Sequence, residues 1–147
     1  MRLLLTICAA FMALAWLAPA RAQAPQLPTV QLSAGIHLVT AEFAASDAAR
    51  TRGLMFRSSL PTNHGMLFLF EDRRLHCMWM RNTLIPLSVA FIEDDGTIVN
   101  IRDMQPHDES RHCAAKPVRY ALEMAQGWFA QKGIGPGARI GRLPAAR

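Results

Sequence analysis

The chain has no internal repeat, no heptad pattern and no low-complexity tract. Solenoid, propeller and coiled-coil architectures are thereby excluded. It also lacks a P-loop and a Gly-x-Gly-x-x-Gly turn, so no nucleotide cofactor has its usual seat and none is expected. Ser58, Ser59, Ser88 and Ser110 all stand outside any Gly-x-Ser-x-Gly context, which speaks against a serine hydrolase. No run of Lys or Arg is present, so the formal net charge of +5 is no footprint of nucleic-acid binding. The longest apolar run, Leu3 to about Pro19, is shorter than the roughly 20 residues that span a bilayer. Cysteine is scarce, with three in 147 residues.

That apolar run follows Met1-Arg2 and precedes Ala20-Arg21-Ala22, the order of a secretory leader with an A-x-A cleavage site. Residues 1–22 are therefore expected to be a signal peptide, with a mature protein starting at Gln23, periplasmic or secreted and without a stable membrane anchor. Arg2 and Arg21 leave with the leader, so 14 of the 16 basic residues remain against 11 acidic ones, a net charge of +3. Cys8 leaves too. Cys77 and Cys113 remain, a disulfide candidate in an oxidising compartment. Two separate buried thiols are the alternative.

The rest of the chain is organised around the stretch from Gly65 to Ile101. Apolar runs of strand length occupy Gly65–Phe70, His76–Met80, Leu87–Ile92 and Thr97–Ile101, and Asp94-Asp95-Gly96 is a hairpin turn between the last two. Residues 23–35, Pro-rich at their start, are expected as a flexible arm, and 36–147 as a single domain. Gln31–Phe43 carries a strand-like pattern. Ser46 reads as the N-cap of a short helix that Gly53 stops. Residues 102–116 read as a long loop, Val118–Met124 as a strand, 127–132 as a second short helix, and Ala138–Leu143 as a last strand. The pattern predicts a mainly-β sandwich or barrel with one or two short helices.

RGLMFR at 52–57, GMLFLF at 65–70, WMRNTLIPL at 79–87, Gly-x-Ile at 96–98, Tyr-x-Leu-Glu at 120–123 and Gly127 occur in that order. Together they resemble the bacterial and archaeal domain-of-unknown-function family 192, over roughly Leu38 to Leu143. The resemblance implies a compact, jelly-roll-like β-sandwich that is often exported, and implies no activity. Its signature polar residues fall here on Arg57, Arg81, Asn82, Thr83 and Glu123. The family more usually has Lys where this chain has Arg81.

With the exposed ring expected of Trp79, these residues suit a site for a hydroxylated or carboxylated ligand. The structural alternative is an Arg57–Glu123 ion pair, with Asn82-Thr83 bonding a turn. A ligand set of His76, Met78, Met80, His112 and Cys113 would suit Cu(I). However, methionine is a routine core filler and a disulfide would consume the thiols, so no metal is assigned. The reading is a non-enzymatic exported domain that binds a small polar or carbohydrate-like ligand or an envelope partner. The alternative is a cell-envelope hydrolase with Glu123 as general acid/base, partnered from the loop that holds His107-Asp108-Glu109.

Overall fold

The computed structural model describes residues 26–146, so the expected leader lies outside the described residues. The elements are β1 (Thr29–Ala34), β2 (His37–Ala44), α1 (Asp47–Arg52), β3 (His64–Arg74), β4 (Cys77–Met78), β5 (Leu87–Ile92), β6 (Ile98–Met104), β7 (His112–Cys113), β8 (Val118–Ala125), α2 (Trp128–Gln131) and β9 (Ile140–Gly141). The domain is mainly β with two short helices, as its sequence predicts.

Seven strands form one sheet in the order β6-β5-β8-β3-β2-β1-β9, and β4 with β7 makes a separate two-stranded ribbon. Every pairing is antiparallel except β2 with β3, whose connection carries α1 across one face. The sheet curls until its two edges meet. Thr97 bridges Arg139, Ile98 N–H donates to Ala138 O at 2.8 Å, and Ile140 N–H donates to Gly96 O at 2.9 Å. Gly96 makes that meeting possible: its φ is +91°, and any Cβ there would collide with the Ile140 carbonyl. The carboxylate of Asp95 accepts from the N–H of Thr97 at 2.9 Å and its hydroxyl at 3.0 Å. These two bonds hold the Asp95 carboxyl below the usual range. The hairpin read from Asp94-Asp95-Gly96 therefore also closes the sheet.

Curling gives the sheet an inside and an outside. Leu32, Val39, Leu67, Ala90, Ile98, Leu122 and Ile140 come from all seven strands and fill the interior together with Trp128 and Phe129 of α2. The alternate residues Met66, Phe68, Val89, Phe91 and Ala121 point outward under a second layer containing Ala49, Leu54, Met78, Met80 and Ala114. The central parts of β3, β8 and β5 are thus covered on both sides, which is why Gly65–Phe70 and Leu87–Ile92 read as unbroken apolar runs, whereas β8 keeps Arg119 and Glu123 among its apolar residues. All six residues of β5 are buried.

Three local expectations are corrected. Thr29–Ala34, assigned to the flexible arm 23–35, is β1. It pairs with β2 from Thr29↔Glu42 to Ala34↔His37 and also with β9, because Leu32 and Ala34 bury their side chains in the interior. Of His76–Met80 only Cys77–Met78 is strand, since its partner β7 is two residues long. β6 runs on to Met104, and β7 sits inside the stretch 102–116 that reads as loop.

Candidate functional site

Glu123 lies on β8, opposite Met66 of β3 and Val89 of β5. Its neighbours Leu122 and Met124 face the interior, so period-two alternation sends Glu123 to the outer side, beneath the second layer. It is 4 % exposed. Among the described residues no hydrogen bond or ion pair reaches its carboxyl. Burial alone drives its pKa up to about 8. At neutral pH the group is therefore protonated and uncharged.

Glu123 opens onto a cavity of about 490 Å³. Thr83 lies with it on the lining, Phe68, Met78 and Trp79 give apolar walls, and charged residues of α1 and the end of β3 complete the rim. The wall is built by the β2–β3 crossover. Ser46 caps α1 by accepting from Ala49 N–H at 3.2 Å. Gly53 ends the helix at φ +47° and ψ −136°, a conformation that favours glycine, and a Cβ there would touch the Phe68 ring at 3.4 Å. The chain then lays Leu54 and Met55 over the outer face. Phe56 and Asn82 both hold positive φ, +64° and +54°, and Phe56 N–H donates to Asn82 O at 2.8 Å. Two strained backbone positions thus brace one another beside the cavity.

The structure brings Glu123, Thr83 and Trp79 to this cavity and sets Arg57 apart from it. Arg57 forks onto Glu42 of β2, at 2.6 Å and 2.7 Å. Glu42 pairs with Met66 and Met66 with Glu123, so Arg57 is held on the same side of the sheet, two strands from Glu123. The alternative of an Arg57–Glu123 ion pair does not occur. Thr83 is buried; its N–H donates to Met80 O at 3.0 Å and its hydroxyl to Arg81 O at 3.3 Å. Asn82 is exposed and reaches Met55 sulfur at 4.0 Å. Arg81 lies 5.8 Å from the centre of the Trp79 ring and 3.8 Å from Glu109, and Trp79 is 45 % exposed.

Sequence reasoning missed Glu42 as the partner of Arg57, and it missed Arg50 and His76 as parts of the wall. Arg50 is occupied by Asp47, by Glu71 at 3.1 Å and by Leu69 O at 2.8 Å. His76 stacks on Phe70 with centroids 3.7 Å apart, and its Nε2 is 2.9 Å from Asp72 O. Cys77 and Cys113 are disulfide-bonded as the exported-protein reading expects, joining β4 to β7 at the edge of the cavity. In the nearby loop, Asp108 accepts from the N–H and hydroxyl of Ser110, both at 2.8 Å, and lies 3.1 Å from His112 Nε2. Those Ser110 bonds hold the Asp108 carboxyl below its usual range. Ser110 and Asp108 address the same ring nitrogen, whereas a catalytic triad needs opposite ones.

Buried Glu123, Thr83 and the bracing of GLMFR on Asn82 place the sequence motifs in one structural unit. The family model DUF192, described as "Uncharacterized ACR", matches residues 29–141. The chain belongs to this family. Among solved structures, a candidate transcription regulator of Sinorhizobium meliloti 1021 is 39 % identical, with 76 % of this chain and 90 % of that one covered and a TM-score of 0.71. A protein of unknown function from Novosphingobium aromaticivorans DSM 12444 is 35 % identical, with 81 % and 93 % covered and a TM-score of 0.74. No curated protein matches. For this DUF192 member the family brings a fold and a set of motifs, and its chemistry has to be read from the cavity.

Proposed function

We propose that this protein is an exported binding domain that takes a small polar or carbohydrate-like ligand into the cavity beneath α1, with Glu123 and Thr83 contacting its polar groups and Trp79 its apolar face. The observation that carries the reading is a carboxyl 4 % exposed, without a partner among the described residues, that opens onto a cavity of about 490 Å³. The carboxyl oxygens are open to the cavity instead of sealed in the core, so a ligand entering it can make the hydrogen bond that the fold does not. Arg81 and Asn82 lie between the lining residues Trp79 and Thr83 in sequence without lining the cavity themselves, and Arg57 is committed to Glu42 instead of touching the ligand. Export is supported by the leader pattern and the disulfide; among the described residues no helix is long and apolar enough to cross a membrane. The longest helix among the described residues has six residues, shorter than the recognition helix of a helix-turn-helix regulator.

The test is a thermal-shift screen of the mature protein against sugars, hydroxy acids and amines. A true ligand raises the melting temperature of the wild type and loses that effect in Glu123→Gln. Ligand-induced shifts of equal size in the two proteins would refute the site. Hydrolysis remains a second reading on one observation: Glu123, protonated at neutral pH, shares its cavity with His76. Against it, His76 Nε2 is already turned to Asp72 O, and the side chains of Glu71 and Asp72 are 78 % and 56 % exposed at the rim. Product release from envelope glycans that disappears in Glu123→Gln, while binding persists, would favour the enzyme.

A further inference from the structure

We propose that the ligand group received at the floor of this cavity is a primary ammonium, held by the Glu123 carboxylate and the Thr83 hydroxyl oxygen. The proposal rests on the binding reading above and narrows it to one ligand chemistry.

Three features of the cavity point to a cation. The first is hydrogen-bond polarity. The Thr83 hydroxyl directs its proton to Arg81 O, leaving its lone pairs free, and ionised Glu123 is acceptor-only. An ammonium is the complementary partner, since it carries donors alone. The second is charge. The lining holds four carboxyl groups, Asp47, Glu71, Asp72 and Glu123, and three guanidinium groups, Arg50, Arg52 and Arg74. Four against three leaves one negative charge when Glu123 is ionised, and a monocation cancels it. Arg50 and Arg74 are engaged by the rim carboxylates, Arg50 with Asp47 and Glu71, Arg74 with Asp72 at 3.3 Å. Arg57, on the neighbouring segment, is committed to Glu42. Among the described residues Arg52, the third guanidinium of the lining, makes no ion pair, and no hydrogen bond or ion pair joins any of these cations to Glu123. The third is the wall. Phe68, Met78 and Trp79 offer aromatic faces and a thioether, surfaces that accept an alkylammonium and its short chain.

Binding is a proton exchange that balances. The empty cavity holds Glu123 as the neutral acid; an arriving ammonium keeps its own proton, and the Glu123 proton leaves to solvent. Affinity for an amine should therefore rise about tenfold per pH unit from pH 6 to about pH 8 and level off above, where Glu123 is already ionised. A neutral ligand that uses the protonated acid gives the opposite sign, weakening above about pH 8. His76 on the wall and the rim groups Asp47, Glu71 and Asp72 are the other titratable groups near the site, so the slope must be assigned by variant.

The experiment titrates the mature wild type and Glu123→Gln with n-butylamine, n-butanol and glucose from pH 6 to pH 9. It follows the Glu123 side-chain carbon by NMR and proton release by calorimetry in two buffers. The expected result is that n-butylamine alone binds, releases about one proton near pH 7, and loses both affinity and pH slope in Glu123→Gln. A short peptide with one lysine carries the same ammonium. Whichever of peptide and free amine binds tighter identifies a partner-chain lysine or a small amine as the source. Binding of n-butanol or glucose without n-butylamine would overturn the ammonium while leaving the cavity a binding site. Amine binding that keeps its pH slope in Glu123→Gln would overturn it as well. If no probe moves the Glu123 signal, both the inference and the binding reading fail.

Discussion

Replacing Glu123 by Gln should make the protein more stable at neutral pH, and the size of the gain follows from burial. The carboxyl ionises near 4.5 in an unfolded chain and near 8 in the fold, a difference worth about 5 kcal/mol in ionisation free energy. Between those pH values the folded protein holds a proton that the unfolded chain has released. Stability therefore falls as pH rises through that window, by about 1.4 kcal/mol per pH unit, and levels off above about pH 8. At pH 7 the accumulated loss is about 3 kcal/mol. Gln has nearly the same shape and cannot ionise, so the variant lacks this slope. Urea denaturation of both proteins at half-unit steps from pH 4.5 to 9 is the assay, read as the difference between the two curves. Histidines and rim carboxylates contribute equally to both curves and cancel. The expected difference is near zero at pH 4.5, about 3 kcal/mol in favour of Gln at pH 7, and constant above about pH 8. Two parallel curves, or a variant less stable at every pH, would refute the isolated, buried acid.

The disulfide between Cys77 and Cys113 spans 36 positions of sequence, and opening it should lower stability by about 4 kcal/mol in the chain-entropy model. Unreduced protein starting at Gln23 should titrate no free thiol, and reduction should lower its melting temperature; two reactive thiols before reduction would contradict this. Gly65 packs against β8 so closely that a Cβ would meet the Glu123 carbonyl and the Met124 sulfur. Gly65→Ala should destabilise by about 3 kcal/mol, whereas Gly135→Ala, with nothing nearby, should stay within about 0.5 kcal/mol of wild type by chemical denaturation.

Apolar runs identified β5 and the first half of β3, because a stretch covered on both faces needs no polar residue, and β8 was legible from Val118, Tyr120, Leu122 and Met124 sharing one face. Short-range chemistry was equally legible: Ser46 before α1, Gly53 after it, and the Asp94-Asp95-Gly96 turn all act within a few residues. The family followed from motifs, and the Cys77–Cys113 bond from there being only two cysteines outside the expected leader. Long-range register was not legible. Arg57 pairs with Glu42 because β2 lies parallel to β3 and sets Glu42 two strands from Glu123, and nothing local to either residue encodes that spacing. β1 fell partly in the arm 23–35 and partly in one strand-like stretch over Gln31–Phe43, because its start and its turn into β2 become clear only once its partners, β2 on one side and β9 on the other, are in place. Sequence put a carboxyl at position 123 on one side of a strand. Only the tertiary fold decided that a second layer would cover it, leave it without a cation, and keep a cavity open above it, because desolvation depends on everything packed around a group and not on its neighbours in the chain.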